Sequence, residues 1–170
     1  MAIIRNLCLL VTLVVATTGC ESKQADSDPS SSTSSKYILT SEPADAKTPT
    51  DIKESVTQPT LISLAGRIEA GDVEPFQAGL ASFMISQLPD ATHAGGDPEH
   101  AENCPFCKRK LKNAPKAVVR FLNDTGEVLA VDSRELLGVS KGDVVVVRGV
   151  ATYLEPVNTV QIDAEGIFVR

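Results

Sequence analysis

The stretch Leu61-Ile62-Ser63-Leu64-Ala65-Gly66-Arg67-Ile68 decides the fold. Ile62, Leu64, Gly66 and Ile68 fall on one side at period two, with Ser63 and Arg67 opposite, which is the pattern of a half-buried β-strand. A glycine inside such a run is expected where a strand bends sharply to serve two sheets. Working outward, residues 80–88 repeat the pattern with Ala81, Phe83 and Ile85 on one face. Residues 116–122 set Ala117, Val119 and Phe121 opposite Arg120. Asn123-Asp124-Thr125-Gly126 is a turn signal, and 127–131 is expected to continue extended. Residues 133–138 read as a short helix or turn with Ser133 as its candidate cap. Lys141-Gly142-Asp143 then turns into Val144-Val145-Val146-Val147, an unbroken run that predicts burial on both faces. In 159–169, Val160, Ile162 and Ala164 alternate with Gln161, Asp163 and Glu165.

Five to six strands, one short helix and no βαβ alternation predict an all-β fold, a small antiparallel barrel. Leu64 to Ile68, the turn-and-valine stretch 136–149 and the closing strand together resemble an OB-fold, over much of residues 61–170. An SH3-like barrel is the alternative. The chain departs from the OB pattern by an insertion, 89–115, after the second strand.

The N-terminus carries its own message. Arg5, the apolar run 7–16 and the small residues after it read as an export signal covering 1–19. Thr17-Thr18-Gly19-Cys20 resembles the lipobox of bacterial lipoproteins. That resemblance implies cleavage before Cys20, lipidation of its sulfur, and a domain held at the bacterial cell envelope outside the cytoplasm. Thr17 departs from the aliphatic residue usual at that position, so ordinary signal-peptidase cleavage stays open. Residues 21–60 hold fifteen Ser/Thr and four Pro among forty residues. The segment 20–60 is therefore expected to be a disordered tether, with docking of Tyr37-Ile38-Leu39 on the domain or a partner as its rival.

All candidates for site chemistry fall in the insertion. His93, His100, Cys104 and Cys107 lie within fifteen residues, and these are the only histidines of the chain. A Cys-x2-Cys turn lets two thiolates face one ion while backbone N–H groups donate to the sulfurs, and two imidazoles would complete a tetrahedral Zn²⁺ site. Copper or iron is also compatible with these ligand types. A metal could organise an insertion that has no core of its own. Three alternatives remain open: a local disulfide in an oxidising compartment, thiol–disulfide redox chemistry, and delivery of an exchangeable metal. Cys104-Pro105-Phe106-Cys107-Lys108-Arg109 resembles the active-site motif of glutaredoxins, but the resemblance covers six residues and lacks the βαβ frame of that family.

Charge narrows the partners. The 170 residues carry 16 Lys and Arg against 22 Asp and Glu, a net −6, which argues against a general phosphate-backbone binder. The aromatics are too few for a stacking platform, so nucleic acid is not the expected ligand. Lys108, Arg109, Lys110 and Lys112, continued by Lys116 and Arg120, nonetheless form a basic run with no acid among residues 108–120, a candidate surface for an anionic ligand. No nucleophile elbow, P-loop, dinucleotide fingerprint or His-Glu-x-x-His motif occurs. The expected function is a noncatalytic, lipid-anchored envelope module that binds an envelope protein or anionic ligand, its inserted loop organised by a Cys/His metal site.

Overall fold

The structure, a computed structural model, describes residues 36–90 and 103–170. The lipidation candidate Cys20 and both histidines, His93 and His100, lie outside the described residues. Within them the chain order is α1 (Pro49–Ser55), β1 (Thr60–Ile68), β2 (Ser82–Ser86), α2 (Pro105–Asn113), β3 (Lys116–Phe121), α3 (Ser133–Leu137), β4 (Val144–Leu154), a 3₁₀ turn (Glu155–Val157) and β5 (Thr159–Val169).

Strand pairing runs β1-β2-β3-β5-β4 and returns from β4 to β1, so the five strands close into a barrel. Closure leaves no unpaired edge in the ring. The expected class, all-β and antiparallel with one short helix, OB-like or in the alternative SH3-like, is corrected to a mixed α/β fold. Among the described residues three helices flank the strands, and β3 pairs with β5 in parallel, from Lys116 opposite Thr159 to Phe121 opposite Ala164. Parallel pairing needs a long crossover, and here α3 and the whole of β4 supply it. The extended segment expected at 127–131 reduces to a single bridge, Leu122 with Val128.

Side-chain alternation fills the interior. Leu64 and Ile68 of β1, Phe83 and Ile85 of β2, Ala117, Val119 and Phe121 of β3, and Val160 and Ile162 of β5 are buried in one cluster. Gly66 sits where β2 crosses: a Cβ there would stand 2.8 Å from the Ser86 carbonyl oxygen and 3.0 Å from the Ile85 side chain. Val145, Val146 and Val147 are all buried, so the valine run is covered on both faces. The β4–β5 register shifts once, between Arg148 and Gly149.

The expected tether is corrected for residues 36–60, which pack on the barrel. Tyr37 is buried and meets the ring of Phe121 edge-on at 5.0 Å. The Leu39 N–H donates to the Ile167 carbonyl at 2.8 Å. Lys47 bridges to β1, its N–H on Ser63 and its carbonyl accepting from Ala65. That second layer covers Ala65 on the outer face of β1. α1 follows with Pro49 in its first turn, and a reciprocal Thr48–Asp51 capping box satisfies its N-terminal donors. The helix inserts Ile52, which is fully buried. α3 is capped by Asp132, which accepts from the Arg134 N–H at 2.9 Å. Ser133, expected as that cap, is instead buried with its hydroxyl donating to the Leu80 carbonyl at 3.3 Å.

Candidate functional site

Pro105 starts α2. Its ring fixes φ for the first helical position, where the missing N–H costs no hydrogen bond. Cys104 is therefore the N-cap, with extended backbone at φ −86° and ψ 117°. The Lys108 N–H donates to the Cys104 carbonyl at 3.0 Å and closes the first turn. Cys107 lies within that turn, so both thiols share one end of the helix. They are free and half-buried.

The two thiols differ in acidity. Cys104 is lowered from the ordinary thiol value, first by the Cys107 backbone N–H, then by the Cys107 thiol and the Phe106 N–H, with partial burial opposing. The Cys104 side chain closes no capping hydrogen bond at the helix N-terminus. Cys107 is raised, first by desolvation and then by the adjacent Cys104 sulfur; Lys110 works against the rise and Asp90 with it. Of the two, Cys104 is the more acidic thiol. Phe106, between them, is 77% exposed.

The structure thus joins two of the four expected metal ligands, Cys104 and Cys107, on one turn, while His93 and His100 fall outside the described residues. No group of three or more His, Cys, Asp or Glu side chains among the described residues is placed to hold an ion. The basic run splits. Lys108 and Lys112 line an open cleft of about 920 Å³ between α2 and the barrel, together with Arg67, Glu69, Gly71, Asp72, Ser86, Gln87, Pro89, Leu111 and Lys116. Arg109 and Lys110 do not line it, and Lys110 stands 3.8 Å from Asp90. Sequence reading missed Arg67 and Gln87, because only the folding of β1 and β2 around one end of the barrel brings them beside α2; Lys116, from the end of the basic run, reaches the same cleft on β3. As expected, Phe83 and Phe121 point into the core. Tyr153 donates its hydroxyl to Asn158 Oδ1 at 2.8 Å.

No helix of the described residues is long and apolar enough to cross a membrane. Comparison of the chain with protein-family models, with curated proteins and with solved structures found no match in any of the three.

Proposed function

We propose that the Cys104–Cys107 turn is a soft-metal centre, with Zn²⁺ as first choice, which organises the inserted segment of a noncatalytic, lipid-anchored binding module of the bacterial envelope. The observation that supports this reading is the turn itself: two thiols at one helix end, Cys104 at the N-cap and Cys107 in the first turn, where the backbone N–H groups of Cys107 and Phe106 lower the Cys104 thiol. Such donors stabilise thiolate and keep it available as a ligand. The donor chemistry fits Zn²⁺, with His93 and His100 supplying the two remaining ligands by sequence. When bound, the ion would tie the segment to α2, a helix with no buried residue of its own. Ligation by two thiolates and two imidazoles closes the coordination sphere, which is why the reading is structural and not catalytic.

The acidity difference within the pair favours one second reading, thiol–disulfide exchange. There Cys104 attacks a partner disulfide, forming a mixed disulfide and expelling the partner's thiolate. Cys107 then displaces the partner's second sulfur, leaving Cys104–Cys107 oxidised and the partner reduced. Elemental mass spectrometry of the full chain, purified without chelator, separates the two. About one zinc per chain, lost in both Cys104→Ser and His100→Ala, is the outcome of the metal centre. Absence of metal together with a reversibly reducible Cys104–Cys107 disulfide overturns it in favour of exchange.

A further inference from the structure

The cleft between α2 and the barrel holds a charge arrangement that the metal centre does not use. Lys108, Leu111 and Lys112 recur at helical spacing and present one face of α2 to it. Arg67 and Lys116 enter from β1 and β3. Elsewhere among the described residues four arginines find carboxylates, Arg120 with Asp163, Arg134 with Asp132, Arg148 with Glu165 and Arg170 with Glu42, while Lys36, Lys47, Lys53, Arg109 and Lys141 stand as single charges spread over the surface. None of the four cleft cations has an ion-pair partner within 4.0 Å among the described residues, although Glu69 and Asp72 also line the cleft. Four cations against two carboxylates leave the cleft lining net positive, and a concave wall focuses that field. An incoming anion balances that charge.

The barrel side is already held in position. Lys116 Nζ donates to Ser86 Oγ at 3.0 Å, and Ser86 Oγ donates to the Glu69 carbonyl at 2.9 Å. Arg67 is held by one guanidinium donor on the Gly142 carbonyl at 2.9 Å, which leaves its other N–H groups for a ligand. Gln87 Oε1 accepts from the backbone N–H and the hydroxyl of Thr50, so its amide NH₂ is the end left to donate. The donors therefore outnumber the acceptors in this wall. A volume of about 920 Å³ suits an organic ligand better than a bare ion. Leu111 and Pro89 offer apolar contact, and no aromatic residue lines the cleft to stack a base.

We propose that the cleft lined by Arg67, Lys108, Lys112 and Lys116 binds a phosphate group carried on a polyol, as in a sugar phosphate or a phosphoglycerol lipid headgroup. Calorimetric titration of the full chain with glucose 6-phosphate, and co-sedimentation with phosphatidylglycerol vesicles against phosphatidylcholine vesicles, distinguish the two sources. Saturable binding of the sugar phosphate assigns a soluble ligand; binding to phosphatidylglycerol vesicles alone assigns a headgroup. Lys112→Glu weakens either by roughly tenfold or more, the loss of one charge-assisted contact with the added repulsion. Arg109→Glu, on another face of the same helix, changes it less than about twofold because surface charge alone is worth little. Lys116→Gln serves as a second variant from the barrel side, with circular dichroism confirming the fold of each. Equal weakening by Arg109→Glu, or no saturable binding to either probe, overturns the proposal.

Discussion

Phe83, Phe121, Ile85 and Ile162 in the barrel are sealed from water, whereas none of the nine residues of α2 is buried. The barrel is held by apolar area removed from solvent, and its closed ring leaves each strand two neighbours. α2 has a proline at its start, Lys110 and Lys112 at its C-terminal end to complement the helix dipole, and little else. Short helices in water are marginal without packing. The difference teaches that barrel and helix answer to different chemistry. The barrel persists through hydrophobic burial; α2 lacks that support, and on the proposed readings a metal at its head and an anion along its cleft face would supply it.

The largest test of that contrast is Phe121→Ala, which should cost about 3–5 kcal/mol in denaturant unfolding. A cost near zero would mean the barrel is not the stable body it looks. Next, Tyr37→Ala is expected to cost about 3 kcal/mol, and a double-mutant cycle with Phe121→Ala should show coupling of about 0.5–1.5 kcal/mol. Additive effects would detach the 36–47 segment from the core. Asp132→Ala removes a helix cap and should cost about 1 kcal/mol at neutral pH. The Asp132 carboxyl is held well below the usual carboxylate range by hydrogen bonds from the Arg134 side chain and N–H. A pKa depressed in the folded state gives stability that is present above the unfolded value, near 4, and lost as pH falls through the folded one. The gap between wild type and Asp132→Ala should therefore narrow on acidification, read from urea midpoints across the acid range. Smallest of all, Leu111→Ala in α2 should move the unfolding midpoint by less than about 0.5 kcal/mol.

A chemical probe sharpens the same comparison without touching stability. In the metal-free chain, Cys104 should alkylate faster than Cys107 at neutral pH, since its thiolate forms at lower pH. Peptide mass mapping after brief iodoacetamide treatment would show the order. The reverse order would remove the asymmetry from which the exchange reading draws its support.

Strand positions were legible because burial on one face writes itself into period two. Ile62, Leu64, Gly66 and Ile68 carry it in β1, and Val160, Ile162 and Ala164 in β5. Pairing partners were not legible, since the parallel match of β3 with β5 depends on a crossover of some forty residues and not on any local pattern. The tether expectation fails for residues 36–60: Tyr37 packs on the domain, as the rival reading had it, while Ile52 and Val56 are too dispersed in a serine- and threonine-rich stretch to show a period. The signal that could have found α1 is Thr48-Pro49-Thr50-Asp51, a capping box with proline at the first helical position. At the site, Cys104 and Cys107 were legible from their spacing. The cleft was legible only on its basic-run side, Lys108, Lys112 and Lys116: Arg67 and Gln87 lie far off in the sequence and join them only through tertiary folding.

The segment 36–47 has a mechanical consequence. It meets β5 through a parallel bridge at Ile38 and Ile167, seats the Leu39 side chain over Gly166, and ties Glu42 to Arg170 at 2.6 Å. Tension applied from the N-terminal side reaches Tyr37 and Leu39 before it reaches β1. Pulling residues 36–47 free would release twelve residues, each extending at most about 3.6 Å, at the expense of the Tyr37 contact with Phe121 in the core. A pull on this end is therefore resisted by a core side chain and not only by surface contacts.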